Sequence, residues 1–313
     1  VSKTAEKDEN IVFVFLNRLI RVKDVSRWCV ISFIGFVLGI STLSFLDNLV
    51  PFLVFIVCTF CIMSFTFSIN NYYDVDSDRE NPRRMHTNAI ASGRISKQSA
   101  VFINIIFVVI PLVVSFLFKF ILVFYCIIFL FIMWAYSSPP FRLKGRPGID
   151  IIWHLFAFFF IIIWGSLIAG SITLINLLVA ISIAVFSGIG QIWNHIIDYS
   201  FDKNSKTTTF TVKFGLKKSK KLLNFFVGLH IVLLIPLILF YSINYYESII
   251  SLLGLSLLGL IVIRPKKNGF PEKRSYQYYF AVGIGGAVYT SCVIYHLLLI
   301  SGAPLVFQLF NFT

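Results

Sequence analysis

The stretch VPFLVFIVCTFCIMSFTFSINNYYDVDSD (Val50–Asp78) runs from an unbroken apolar segment into a cluster of amides and carboxylates. A bilayer span needs roughly 20 consecutive apolar residues, so 50–70 reads as a membrane-crossing helix with a polar end. On helical backbone, residues four apart share a face, and Asn70, Asp74 and Asp78 therefore line one side of that end. Asp76 falls off that face and reads as a solvated group or one that supports a neighbouring ligand. The pattern recurs in NHIIDYSFD (Asn194–Asp202), where Asn194, Asp198 and Asp202 close another apolar run at the same spacing.

The composition extends this reading to the whole chain. Of 313 residues 58% are hydrophobic and only 13% charged, with mean hydropathy +0.85, which is too apolar for an ordinary soluble domain. Apolar runs place spans at 29–46, 50–70, 101–118, 120–137, 150–169, 172–193, 222–242, 247–263 and 279–299. The expected fold class is an all-α integral membrane protein, a nine-transmembrane-helix bundle. Residues 1–28 form a cytoplasmic or interfacial segment, amphipathic over Ile11–Ile20, ahead of a membrane domain at 29–299. Loops 71–100 and 194–221 cap that domain, and 300–313 form an extracytoplasmic tail. No short apolar core with a small-residue cleavage site opens the chain, which argues against a cleaved signal peptide.

Charge supports the segmentation independently. With the N-terminus inside, the inner segments 1–28, 71–100, 138–149, 194–221 and 264–278 hold 26 of the 27 Lys and Arg residues, Lys119 being the exception. Cytoplasmic loops of membrane proteins are enriched in Lys and Arg in this way. The net charge of +13 is thus accounted for by topology and attraction to anionic lipid headgroups, and it calls for no nucleic-acid partner. Cys58 and Cys61 have C-x-x-C spacing, but they lie mid-span with no second pair beside them, and read as packing thiols.

Four carboxylates gathered at the edge of an apolar bundle repel one another unless cations lie between them. Hard oxygen donors suit Mg²⁺, which is commonly held through a few carboxylates together with substrate phosphates. A Mg²⁺-bridged diphosphate is the economical ligand. Arg79 and Arg94 follow the first cluster, Lys203 and Lys206 the second, and Arg142, Lys144 and Arg146 occupy the loop between spans four and five. Arg forks onto phosphate oxygens, whereas Lys acts as a point charge. His195 is placed either to orient Asp198, to face a substrate, or simply to pack. Tyr72, Tyr73, Tyr136, Trp193 and Tyr199 stand at span ends, where their rings can stabilise a cation or anchor the interface.

These motifs resemble the UbiA superfamily of intramembrane prenyltransferases. The family's first motif, N-D-x-x-D-x-x-x-D, is matched by Asn70, Asn71, Asp74 and Asp78, and its second, D-x-x-x-D, by Asp198 and Asp202. IASGRIS (Ile90–Ser96), YSSPPFRLKGRPGID (Tyr136–Asp150) and TTTFTVKFG (Thr207–Gly215) resemble the segments that follow the first motif, the fourth helix and the second motif. The resemblance implies that Asp74, Asp78, Asp198 and Asp202 are catalytic and, with Asn70 and Asn71, hold Mg²⁺. Spacing adds Asn194 to the metal set, Asn70 joins the catalytic set from the first motif and Tyr136 from its place immediately before the basic loop, and charge assigns diphosphate to the seven Arg and Lys residues named above. Departures from the pattern are Asn71 in place of the commoner Asp, NPRRMHTNA (Asn81–Ala89) in place of a basic-proline run, and Phe210 and Thr211 where Leu and Pro are frequent.

The expected function is Mg²⁺-dependent transfer of an isoprenyl group from an allylic isoprenyl diphosphate to a lipophilic acceptor, in a multi-pass cell-membrane enzyme whose active site faces the cytoplasm. RENPRR (Arg79–Arg84) and IASGR (Ile90–Arg94) also resemble a family branch that moves phosphoribose onto a polyprenyl phosphate. A transporter is the non-enzymatic alternative, although transporters favour ionisable or broken-helix sites near mid-membrane.

Overall fold

Apolar runs closed by polar or glycine-containing breaks produce a chain of helices. In the computed structural model the described residues are 10–204, 208–244 and 276–301, and every regular element among them is helical. A short turn α1 (Ile11–Val14) continues into a π-turn at Phe15–Leu19, and is followed by α2 (Val22–Gly39), α3 (Phe45–Tyr73), α4 (Val75–Arg79), α5 (Pro82–Met85), α6 (Lys97–Phe118) and α7 (Phe120–Ser137). Next come α8 (Ile149–Ala169), α9 (Leu174–Ile197), α10 (Tyr199–Asn204), α11 (Phe210–Phe214), α12 (Leu216–Asn244) and α13 (Tyr276–Ser301).

Six of these helices among the described residues are long and apolar enough to cross a membrane: α3, α6, α7, α8, α9 and α12 over Leu216–Leu237. The count of nine is therefore not reproduced on this measure. α2 begins and ends seven residues before the expected 29–46 span, and its early turns take in Lys23, Asp24 and Arg27. The expected span 247–263 lies outside the described residues, and 279–299 falls within α13.

Side-chain caps fix several helix starts by satisfying N–H groups that have no intrahelical acceptor. Ser96 accepts from the Ser99 N–H at the head of α6. Thr173 and Asn176 form a reciprocal capping box at the head of α9.

The chain divides into two compact units, Val1–Ser32 with Phe52–Leu143, and Phe33–Pro51 with Lys144–Thr313. In the first unit α6 packs on α7, and Phe55, Ile62 and Met63 of α3 and Leu122, Phe129 and Met133 of α7 are fully buried. In the second, α9 packs against both α8 and α12, with Ile151, Val185, Ile189, Ile192, Leu223 and Phe226 in one apolar cluster. There α2 meets α8 through Gly35 and Gly39, since a Cβ on Gly35 would lie 2.0 Å from the Ile162 carbonyl oxygen and one on Gly39 2.7 Å from that of Ser166. Small residues four apart allow such close helix crossings in membranes. Ser166 Oγ adds a 2.9 Å hydrogen bond to the Gly35 carbonyl and accepts one from Asn176 Nδ2 at 2.8 Å.

Candidate active site

The first aspartate motif straddles a helix break. α3 ends at Tyr73, Asp74 takes φ −96° and ψ 2°, and α4 begins at Val75. The hydrogen-bond ladder nevertheless continues through the break: the Asp74 N–H donates to the Asn70 carbonyl at 3.1 Å and the Asp78 N–H to the Asp74 carbonyl at 2.8 Å. Asn70, Asp74 and Asp78 thus remain on one side, as the spacing predicts. They line a cavity of about 540 Å³ together with Asn17, Arg21, Asn71, Arg84, Thr87 and Asn88. Asp76 is exposed and is not part of that lining.

Hydrogen bonds hold the cavity wall in place. Ser137 Oγ donates to Asn70 Oδ1 at 2.7 Å, which sets that carboxamide's orientation. Asn88 is buried and donates from Nδ2 both to Asp78 Oδ2 at 2.9 Å and to the Asn71 carbonyl at 2.8 Å. Its Oδ1 accepts from the N–H groups of Ile90 and Ala91 at 2.9 and 3.2 Å. A single carboxamide therefore ties Asp78 to the IASGR turn. Sequence reading passed over Asn88; its place two residues after Arg84–Met85–His86, in a turn, carries no spacing signal.

Asn71 has a more specific task than its place in the motif suggests. Its Nδ2 donates to the Arg18 and Leu19 carbonyls at 2.6 and 2.9 Å, the end of the N-terminal π-turn. An aspartate here would present acceptor-only oxygens to two carbonyl oxygens, so the departure from the usual motif has a local cause. The N-terminal segment consequently does more than lie at an interface: Val14, Leu19 and Ile20 are buried in the first unit, and Asn17 and Arg21 reach the cavity. Arg21 adopts φ 56°, pairs with Asp24 at 2.5 Å and lies over the Phe67 ring at 5.0 Å.

The expected cations distribute unevenly. Arg142 comes within 3.6 Å of Asp74 Oδ1, and Arg84, rather than Arg79 or Arg94, stands in the cavity lining. Arg79 Nε is 3.5 Å from the Ala91 carbonyl, and Arg94 is half-buried after Gly93, whose φ of 74° makes the turn. Tyr136 is half-buried beside Ser137. Tyr72 and Tyr73 stack edge to face with ring centroids 5.2 Å apart, and neither lines the carboxylate cavity.

In the second unit the other motif has the same backbone. α9 ends at Ile197, Asp198 takes φ −83° and ψ 2°, and α10 begins at Tyr199. The Asp198 N–H donates to the Asn194 carbonyl at 2.9 Å, and the Asp202 N–H to the Asp198 carbonyl at 2.8 Å. Asn194 and Asp198 are exposed and Asp202 half-buried. Lys203 Nζ lies 5.9 Å from the Tyr199 ring centroid, Lys144 is half-buried and Arg146 exposed, and Lys206 lies outside the described residues. His195 turns to neither Asp198 nor solvent: its Nε2 is 2.9 Å from Asp150 Oδ2, with both side chains buried. Gln191 Nε2 also donates to Asp150 Oδ2, at 3.3 Å, and the Gly148 N–H to Asp150 Oδ1 at 3.0 Å.

No group of three acidic, histidine or cysteine side chains converges as a metal centre among the described residues. Each unit instead offers a pair of carboxylates one helical turn apart with an asparagine one turn before. That donor set, hard and oxygen-rich but incomplete, suits a cation that retains waters or takes phosphate oxygens to fill its shell.

The model of the UbiA prenyltransferase family matches residues 29–282. The chain belongs to the UbiA prenyltransferase family. Among solved structures, a UbiA homolog from Archaeoglobus fulgidus bound to DMAPP and Mg²⁺ aligns with TM-score 0.65 and 22% identity, covering 91% of this chain and 99% of that one. A structure described for digeranylgeranylglyceryl phosphate synthase gives TM-score 0.67 and 21% identity over 92% and 99%. The apo UbiA homolog from Aeropyrum pernix K1 gives 0.61 and 15% over 93% and 100%. These structures share the UbiA fold with this chain. No curated protein matches the sequence.

Proposed function

We propose that this UbiA family member transfers an isoprenyl group from an allylic isoprenyl diphosphate to a lipophilic acceptor in the membrane, releasing diphosphate. One observation carries the reading: the Asn-x-x-x-Asp-x-x-x-Asp turn is built twice, with matching bends at Asp74 and Asp198 and matching hydrogen-bond ladders. Two hard-oxygen pairs suit a diphosphate bridged by divalent cations. Solved Archaeoglobus fulgidus homologues bound to DMAPP or GPP together with Mg²⁺ support both the cation and the donor class.

In this reading Asp74, Asp78, Asp198 and Asp202 hold Mg²⁺, with Asn70, Asn71 and Asn194 as neutral oxygen donors. Mg²⁺ held by these residues would supply positive charge to the departing diphosphate. The chain's own residues do the rest. Asn88 fixes the Asp78 carboxylate and Ser137 fixes Asn70, so these donors need not reorganise. Arg21 and Arg84 in the cavity wall and Arg142 beside Asp74 supply fixed positive charge for the leaving group. Arg79, Arg94, Lys144, Arg146, Lys203 and Lys206 complete the proposed diphosphate contacts, and Tyr136 offers its ring to the allylic cation. The bond between the allylic carbon and the diphosphate oxygen breaks, a bond to the electron-rich acceptor forms, and exclusion of water protects the cation. The active site faces the cytoplasm of a multi-pass cell-membrane protein, and its nine-helix bundle is part of the proposal.

The test uses purified protein in lipid nanodiscs with Mg²⁺, allylic diphosphates of graded chain length and a membrane lipid extract. Diphosphate release coupled to a product heavier by the isoprenyl unit is expected, abolished by chelation and by a saturated donor lacking the allylic double bond. Reaction from phosphoribosyl diphosphate onto polyprenyl phosphate, with none from any allylic donor, would overturn the proposal in favour of phosphoribosyl transfer. Solute flux without turnover would instead favour a transporter.

A further inference from the structure

A second cavity lies in the first unit, on the side of α3 turned away from the carboxylates. It occupies about 360 Å³ among α3, α6 and α7, with Ile69, Tyr72 and Tyr73 on one wall, Val108 opposite and Trp134, near the C-terminal end of α7, at the rim. It shares no lining residue with the carboxylate cavity. At about 100° of rotation per residue, Phe65, Ile69 and Tyr72 fall on the face of α3 opposite that of Asn70, Asp74 and Asp78.

Asn104 of α6 lines this groove. Its side chain is 5% exposed, and neither Nδ2 nor Oδ1 has a hydrogen-bond partner. A buried carboxamide with both its donor and its acceptor unmet carries the full desolvation penalty of each. It stands seven residues into α6, at about 1.5 Å per residue roughly 10 Å from the helix start, where hydrocarbon offers no alternative partner. The remaining lining is aliphatic and aromatic, with no Lys, Arg, His, Asp or Glu. The groove rim at Val101, Ile105 and Val109 is exposed on α6, a helix apolar enough to cross a membrane.

We propose that this groove binds a neutral, hydroxyl-bearing lipid from the bilayer, separately from the diphosphate site. A hydroxyl both donates and accepts, so one such group answers both unmet atoms of Asn104 once the carboxamide turns toward the groove. An apolar chain fills the space along Ile105 and Val108. Tyr72, Tyr73 and Trp134 provide the amphipathic rim that favours the polar end of a lipid at the interface. A phosphate headgroup finds no cation there, and a bare hydrocarbon leaves Asn104 as it is.

The probe is a long-chain alcohol carrying a diazirine, photolysed with the full-length protein in phosphatidylcholine nanodiscs, with adducts mapped by peptide mass. Adducts are expected within 98–118 and near Trp134, competed by the unlabelled alcohol and not by an alkane of equal length. Asn104→Leu, which keeps size and removes the polar pair, lowers labelling about tenfold, and Val108→Trp, which fills the groove and leaves Asn104 intact, lowers it similarly. Thermal unfolding of each variant verifies that it is folded, and a variant that fails this is replaced by Asn104→Thr, which exchanges the carboxamide for a single hydroxyl and gives intermediate labelling. Saturating Mg²⁺ and isoprenyl diphosphate leave the adduct yield unchanged. Equal labelling by alcohol and alkane probes, unchanged labelling in folded Asn104→Leu, or displacement by isoprenyl diphosphate would each overturn the proposal.

Discussion

The bond from Asn88 Nδ2 to Asp78 Oδ2 is the most informative single contact to perturb, because it acts on a proposed metal ligand through a residue outside the proposed ligand set. Asn88 is 2% exposed, Asp78 8%, and the bond is 2.9 Å long. Asn88→Ala removes all four bonds of the carboxamide, of which the one to the charged Asp78 is worth roughly 1.5 to 3 kcal/mol. If that energy serves to hold Asp78 ready for Mg²⁺, apparent Mg²⁺ affinity falls about 10- to 100-fold. Asn88→Asp is nearly isosteric and keeps the acceptor bonds from Ile90 and Ala91, but sets a second carboxylate against the first. With charge centres about 4 Å apart at an effective dielectric of about 20, the repulsion is about 4 kcal/mol. Without metal the Asp variant is therefore the less stable of the two. The assay is Mg²⁺-dependent diphosphate release alongside thermal unfolding with and without Mg²⁺. Asn88→Ala should recover most of its rate at high Mg²⁺, and Asn88→Asp should be stabilised by Mg²⁺ more than wild type. Wild-type Mg²⁺ activation in both folded variants would refute a positioning role for Asn88.

Replacing Asp74, Asp78, Asp198 or Asp202 by Asn should each reduce transfer at least about 100-fold with little change in unfolding temperature, as expected when charge is removed from a cation site at constant volume; full turnover by any two would refute the shared-metal reading. Asn71→Asp should destabilise the N-terminal segment by about 1 to 3 kcal/mol, since two carbonyls lose a donor and face a carboxylate, and limited proteolysis near residues 10–20 reads this directly. Gly35→Ala should cost about 3 kcal/mol or more because its Cβ would meet backbone at 2.0 Å, whereas Gly190→Ala, with nothing within 4 Å, should stabilise α9 by about 0.5 to 1 kcal/mol; detergent-solubilised unfolding temperatures distinguish the two.

Sequence alone disclosed the carboxylate faces because helical period and spacing are local properties. Asn70, Asp74 and Asp78 kept their side even though the helix breaks at Asp74, since a bend of one residue leaves the hydrogen-bond ladder intact. Helix limits were read less well where charge and apolarity overlap: α2 starts among Lys23, Asp24 and Arg27, which an apolar-run search discards. Partners remote in sequence were invisible. His195 stands three residues from Asp198, yet its carboxylate is Asp150, 45 positions away, and no periodicity encodes that pairing. Asn71 reads in the sequence as a ligand alone, and the second task of its Nδ2, donating to the Arg18 and Leu19 carbonyls 53 and 52 residues upstream, has no local signal.

The crossing of α2 and α8 bears on how this protein tolerates its surroundings. In a bilayer two apolar helices gain little by leaving lipid for each other, so contacts made of bulky side chains compete with acyl chains on nearly equal terms. Gly35 and Gly39 instead bring main chain against main chain, and Ser166 fastens the approach with a hydrogen bond. A lipid tail is too thick to enter such a seam and has no donor to replace the serine. The attachment of these helices should consequently be indifferent to acyl-chain length, saturation or the detergent used for extraction.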